Sequence, residues 1–553
     1  MSSRVPPPPN ILRFVTHDPG SIGPGAKDAA HIVGSDDNPM RGDVVFVDGA
    51  GTVEIRATPI GEDVVALSLP VRAGRAGHLM LQTCIAPTRE EPYSLYVELA
   101  RHRIKHFIQK CEEWQMWDPG LARGAMRMWE EARGHFAQAL LAQDAIASER
   151  HAQRSLEVGI EASEHLAMSH AEILLHRRYG AKAASSTTLG VVVRPGTPRT
   201  PALEEAILRD FDVLHLRADW REIEPKRGKP DFTQLDRWMQ WAAEKKKPVM
   251  LGPLLDLREE ALPDHARVFR HDYESFRDLA YDHIDRVAAR YATNVGIWNV
   301  GSGFHANEFL ELSVDQMIDL SRRAVVQVRQ RNRKANTLME LVDCFGEGSV
   351  AAGMMRSERS ERSDRPRRRG ERILPWRFAE LLQQEGIALS AIGLRLTPGR
   401  AGSVARDLFQ LSCLLDRFLG RESRLMLTSF GVPSIPLDSK CGFWRDGWSG
   451  KTQASWSGRA VYIGLSKPFV EALFWAEATD GAPDAKGFGL FDEQGQPQPV
   501  LAKLSGIRKR LRKPLGPRVL HEDGPADNST IEHNPVSEQK DGADIAAIRE
   551  GDE

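Results

Sequence analysis

Short, nearly continuous apolar runs recur eight times after residue 186: LGVVVRP (189–195), DVLHLRA (212–218), PVMLGPLL (248–255), VGIWNVG (295–301), TLMELVDCF (337–345), SAIGLRL (390–396), RLMLTSF (424–430) and EALFWAEA (471–478). Between them lie stretches of helical period such as TQLDRWMQWAAEKK, YESFRDLAYDHIDRVAARY and SVDQMIDLSRRAVVQVRQR. A strand covered on both faces reads as an apolar run, whereas a helix resting on a sheet repeats its apolar positions every 3.6 residues. Eight such pairs in about 330 residues predict an α/β fold, a closed (β/α)8 TIM barrel over 186–513. A doubly wound open sheet is the runner-up, but no GxGxxG phosphate fingerprint follows the first strand.

Upstream the period changes twice. Residues 42–92 carry β-like runs split by Gly and Asp (DVVFVDG, TVEIRAT, DVVALSLP, HLMLQTCIAP), which predict a small antiparallel sheet. Residues 93–180 have helical period and read as a helical hairpin, leaving 1–41 as a flexible N-terminus. Arg356–Arg372, RSERSERSDRPRRRGER, has no apolar residue and reads as a solvated loop after the fifth strand, or else a dock for an anionic protein partner. Residues 514–553 are polar, acidic and poor in aromatics, the composition of a disordered tail. Ser313, just before VDQM, is a candidate helix N-cap.

Composition narrows the function classes. With 74 Lys+Arg against 76 Asp+Glu the net charge is −2, so nothing in the overall balance points to nucleic acid or a membrane surface. Met1–Asn10 has a proline run where an export signal needs an apolar stretch, and the longest apolar runs fall well short of a membrane span. The five cysteines are scattered and lack CxxC spacing, so neither a disulfide framework nor a zinc site is expected, and a reducing cytoplasm is.

In such a barrel the chemistry sits where strands end, in the βα loops. After the second strand, WREIEPKRGKPDF places Trp220, Glu224, Pro225, Gly228 and Phe232 as in the signature of glycoside hydrolase family 10, and the chain resembles those xylanases through LDRWMQWAAEKKKPVMLG. The resemblance stops at the chemistry. The family ends its fourth strand Trp-Asp-Val-Val-Asn-Glu, the glutamate being the acid/base, and its seventh with Thr-Glu, the nucleophile. Here the fourth strand runs Trp298-Asn299-Val300-Gly301-Ser302-Gly303 and the seventh has Thr428-Ser429, so Gly303 and Ser429 stand at the glutamate positions. The family's histidine region after strand three is Gly252–Asp256 here, without a histidine, and Arg395 departs from its sixth-strand pattern. Retaining hydrolysis needs two carboxyl groups about 5–5.5 Å apart, and glycine and serine supply neither.

Other polar residues fall near strand ends: Arg194, Asp219, Asp256, His305, Glu347, Arg395 and Asp480. Asp256 with Glu347 could supply acid and base from new positions, or these carboxylates pair with Arg194 and Arg395 to satisfy the rim. His305 and Asn307 suit a sugar hydroxyl, or cap the next helix. Trp298 and Trp475 match tryptophan positions of the family, and Trp444, Trp448 and Trp456 cluster in one long loop that forms either a carbohydrate platform or a lid. Three functions stay open: a protein that binds oligo- or polysaccharide in the mouth without standard xylanase chemistry, a glycoside hydrolase with relocated carboxylates, and a non-catalytic intracellular scaffold. No cofactor or metal is implied.

Overall fold

The structure, a computed structural model, describes residues 11–61, 64–184, 188–347, 372–400, 402–419, 424–481 and 486–516. The arginine-rich run lies outside these residues except for Arg372, as does the tail beyond 516.

All eight predicted strands are present and close into one parallel barrel. N-terminal to it lie β1 (Leu12–Thr16), β2 (His31–Val33), β3 (Pro39–Met40), β4 (Gly42–Asp48), β5 (Val53–Pro59), β6 (Val64–Arg72), β7 (Gly77–Gln82), β8 (Ala86–Pro87) and β9 (Tyr93–Ser94). The barrel consists of β10 (Leu189–Val193), β11 (Val213–Leu216), β12 (Val249–Leu251), β13 (Ile297–Ser302), β14 (Asn336–Leu341), β15 (Ala391–Leu396), β16 (Arg424–Phe430) and, after β17 (Phe443–Trp444), β18 (Val470–Trp475). Strand β18 pairs with both β16 and β10, which closes the ring. Two short strands, β19 (Glu477–Thr479) and β20 (Gly489–Phe491), follow it. Inside, Val192, Val213, Met250, Leu338, Met426 and Phe474 form a dry core of their own, separate from the larger core between strands and helices. Ser313 caps the helix Val314–Arg331 through a reciprocal box with Gln316, as its sequence position predicts.

The N-terminal third differs from the expectation in two respects. Three strands within residues 12–40 join the sheets, so this stretch is not a flexible arm: β1 pairs with β5, β2 with β6, and β3 with β2. The five residues of β1 are too short to read alone, because their stability comes from partners forty residues later. The helical region is also not a hairpin but three helices, α1 (Leu95–Glu113), α2 (Pro119–Leu141) and α3 (Ala145–Tyr179). Asp118 and Asp144 each accept a backbone N–H of the following turn, so each restarts a helix.

Buried polar contacts fix this third to the barrel. Strand β17, from the loop after β16, adds to β7 through Phe443↔His78 and Trp444↔Gly77. Arg103 of α1 pairs at 2.7 Å with Asp407, which caps the barrel helix Leu408–Asp416. Glu164 of α3 accepts from Trp444 Nε1 at 2.7 Å, from Arg445 at 2.7 Å and from Leu408 N at 3.1 Å. No helix among the described residues is long and apolar enough to cross a membrane.

Candidate functional site at the barrel mouth

Successive strand ends deliver arginines and carboxylates to the mouth in matched pairs. Arg194, just past β10, donates to Glu477 of β19 at 2.9–3.3 Å. Arg217 binds Asp219 through two hydrogen bonds of 2.7 and 2.5 Å. Asp256, after β12, holds Arg258 through Nε and Nη2, the shortest bond being 2.7 Å. Arg395 of β15 donates its Nη2 to Glu340 of β14 at 2.5 Å and to Asp256 at 3.2 Å. Glu340 also accepts from Ser302 Oγ at 2.7 Å and Thr428 Oγ1 at 2.6 Å. Four arginines therefore meet four carboxylates, and all four carboxylates are buried.

The electrostatics follow from that matching. Burial alone would raise the carboxyl pKa of Asp256, but Arg258 and Arg395 outweigh it and hold the group well below the usual range. Glu340 is likewise lowered: burial opposes, while Arg395 and the Thr428 and Ser302 hydroxyls prevail. Asp219 is lowered against burial by Arg217. A general acid needs the opposite, a carboxyl kept protonated near neutral pH. Deeper in the barrel, His215 sits between the carbonyls of Thr428 and Gly252, at 3.1 and 3.0 Å. The amide of Asn299 is fully buried with no hydrogen-bond partner.

The residues singled out by sequence divide sharply. Arg194, Asp219, Asp256 and Arg395 belong to the network just described. Glu347 does not share it: it turns to Arg406 and lines a separate cavity, so it has no ion-pair partner in common with Asp256 among the described residues. Asp480 accepts the Gly489 N–H at 2.6 Å and ties β19 to β20; burial raises its pKa. His305 is fully buried, its Nδ1 at 3.1 Å from the Ile373 carbonyl and its Nε2 accepting from Val342 N at 3.2 Å, which leaves no ring nitrogen for a sugar. Asn307 spends both amide atoms on the Leu312 backbone.

The aromatic expectation also changes. Trp298 and Trp475 are 0% and 1% exposed, their indole N–H groups bonded to the carbonyls of Val295 and Phe488. Trp444, Trp448 and Trp456 are buried too, Trp456 stacked on Phe430 and Trp444 bonded to Glu164. The three rings are packed rather than displayed: Trp444 ties the loop to α3 of the N-terminal third through Glu164, Trp448 bonds the Gly442 carbonyl of its own loop, and Trp456 packs on Phe430 of the barrel.

Gly303 follows β13 with φ +71°, and a side chain there would start 3.9–4.0 Å from Arg258 and Asp256. Ser429 lies in β16 opposite Arg395, beside a register shift that gives Thr428 its inward turn. Glu340, Arg217, Arg258 and Glu477 were not anticipated. The signal for Glu340 was present, as the single charged residue inside the apolar run TLMELV.

No protein-family model matches the chain, and no curated protein sequence matches it. Solved structures similar to it include native xylanase 10B from Thermotoga maritima, 16% identical over 59% of this chain and 95% of that one, with a TM-score of 0.44. Xylanase 10B from Thermotoga petrophila RKU-1 in complex with xylobiose is 16% identical over 61% and 96%, with a TM-score of 0.42. A GH10 endoxylanase from a sugarcane soil metagenome is 13% identical over 60% and 98%, with a TM-score of 0.43.

Proposed function

We propose that the barrel mouth binds a hydroxyl-rich ligand, an oligo- or polysaccharide, without hydrolysing it. One observation carries the reading: every carboxylate of the mouth network is ion-paired with an arginine, and Asp219, Asp256 and Glu340 are held below the usual carboxylate range, so none of these three is kept protonated as a proton donor. Glycosidic cleavage needs such a donor beside a second carboxylate. Binding asks only for donors and acceptors set side by side, which the partly exposed Arg194–Glu477 and Arg258–Asp256 forks provide. The five free cysteines, four of them buried, support a reducing compartment for this activity.

Calorimetric titration of the full chain with xylo-oligosaccharides and a panel of other glycans tests it, alongside a long incubation assayed for new reducing ends. Measurable binding weakened by Arg194→Gln or Arg258→Gln, without cleavage, is expected. Silence across the whole panel would overturn it.

A second reading has its own observation: Asp256 and Glu340 both reach Nη2 of Arg395, so two carboxylates do share one centre. A hydrolase built on them would lose about 10²–10⁴ of its rate in Asp256→Asn or Glu340→Gln. Reducing ends that appear with wild type and vanish in those variants would establish hydrolysis instead.

A further inference from the structure

Among the described residues, one long strand edge is left bare. Strand β4, GDVVFVD, is seven residues long, stands at the margin of the sheet β4-β5-β1-β9 and pairs with β5 alone. The opposite margin, β9, has two residues and runs straight into α1. The Arg41 carbonyl accepts from Ile60 N and the Thr52 carbonyl from Gly49 N, which marks the odd-numbered residues of β4 as those that bond β5. The even-numbered Val44, Phe46 and Asp48 therefore turn their N–H and C=O groups away from the sheet, and none of these groups bonds another element among the described residues.

Sheet edges are commonly blunted by lysine, proline or a bulge, because a bare edge is a template for another strand. Strand β4 has none of the three. Its register with β5 is unbroken, its only charges are Asp43 and Asp48 toward its ends, and Val45 between them is 54% exposed.

Charge and parity indicate which strand fits. Laid antiparallel on a second copy about a two-fold axis through Val45, β4 brings even residues opposite even ones, as the outward hydrogen bonds require: Val44 faces Phe46 and Gly42 faces Asp48. On the outer face Val45 meets Val45 and Asp43 meets Val47. Neither aspartate is set against a carboxylate, and the exposed Val45 is covered by its own counterpart. Apolar pairs directly across a strand pair are favourable, and like charges there are not. The chain's own Met1–Asn10 is a poorer occupant, since its four consecutive prolines have no N–H to give to an edge.

We propose that β4 is a homodimerisation edge: two copies of the chain pair through β4 in the antiparallel register centred on Val45, which joins their four-stranded sheets into one. No residue of the barrel mouth lies in the pair, so each copy keeps its own site. Seven residues a side fall short of the roughly 20–30 of a standard interface, so the dimer is a weak one whose population follows concentration.

Sedimentation velocity of the full chain from about 1 to about 100 µM should show a monomer–dimer equilibrium. Val45→Lys and Val45→Glu alter an exposed side chain and should leave the melting temperature nearly unchanged. Each alone sets like charges against each other at the axis and should weaken the dimer about fivefold or more, while mixing the two variants should restore it. Under oxidation Val45→Cys should give a disulfide-linked dimer, because partners at a non-hydrogen-bonded position have Cα atoms about 4.5 Å apart, within the span of a disulfide. Val47→Cys should not, since it faces Asp43. A chain that stays monomeric at about 100 µM leaves the edge to an extended segment of another protein and overturns the proposal. A dimer that Val45→Lys leaves unchanged, or cross-linking through Val47→Cys as ready as through Val45→Cys, overturns it as well.

Discussion

The barrel mouth and the junction cavity, which opens where α1 and α3 of the N-terminal third meet the barrel, are made from the same residue types and differ in how their charge is closed. In the mouth, Arg194, Arg217, Arg258 and Arg395 each find a carboxylate on the same or a neighbouring strand end, and the count balances. At the junction, cations come from α1, α3 and the barrel loops, and two of them, Lys105 and Arg177, have no carboxylate partner among the described residues; an unbonded buried guanidinium nitrogen occurs in both regions, Nε of Arg395 in the mouth and Nη1 of Arg103 and Arg406 at the junction. Arginines in a concave site therefore say little by themselves. A network whose charges are matched in number rigidifies a fold, and charge balance is what separates these two regions.

The sharpest way to break that contrast is to open the mouth. Arg395→Met would leave Asp256 with Arg258 but leave Glu340 buried with only the Ser302 and Thr428 hydroxyls. Removing one partner of a buried pair costs about 3–5 kcal/mol, since the other charge stays uncompensated. Urea denaturation should show a loss of that order. A loss under about 1 kcal/mol would mean that the mouth is not a closed charge system and that Arg395 is free to serve a ligand.

Acid provides a milder probe of both regions. Burial lowers His215 and His305 in the barrel to about 4, and lowers His31 to about 4 and His170 to about 3 at the junction. Each is neutral when folded but titrates near 6.5 when unfolded, so the unfolded chain binds more protons between those values. Stability is then fully present above about pH 6.5 and falls as the pH drops toward 4. Below that, the depressed carboxyls of Asp256 and Glu340 extend the loss. The melting midpoint should be flat between pH 7 and 8 and lower by roughly 5 °C or more at pH 5. A flat profile down to pH 5 would show that these histidines are not held neutral. At the junction, Arg406 beside His31 and Lys467 beside His170 add to the lowering.

How much of this was legible in the sequence depends on the range of each interaction. The eight barrel strands were readable because each is buried on both faces and so announces itself within its own few residues. Strand β1 was not, since it depends on Val53–Pro59, and the role of the tryptophan loop was undecidable locally, since Trp444 is fixed by Glu164, 280 positions away. At the site, Arg194 and Arg395 were found because they end apolar runs. The sequence reading pairs Asp256 with Glu347, but the carboxylate that shares Arg395 with Asp256 is Glu340, on an inward position of β14. His305 and Asn307 were polar residues in a loop whose backbone partners, Ile373 and Leu312, cannot be inferred from spacing.

The smallest effect is the one that separates the two regions most cleanly. If Lys105 and Arg177 were structural, as Arg395 is, replacing both with glutamine would destabilise the chain. Neither has a carboxylate partner among the described residues, both are exposed, and each lies near other cations, Lys105 near Arg103 around His102 and Arg177 near Lys467 and Lys110 around His170. Removing them relieves like-charge repulsion and breaks no bond, so the change in unfolding free energy should stay within about 0.5 kcal/mol and be neutral or stabilising. A loss above about 1 kcal/mol would place these two residues in the fold's own charge network, and the distinction between a closed mouth and an open junction would no longer hold.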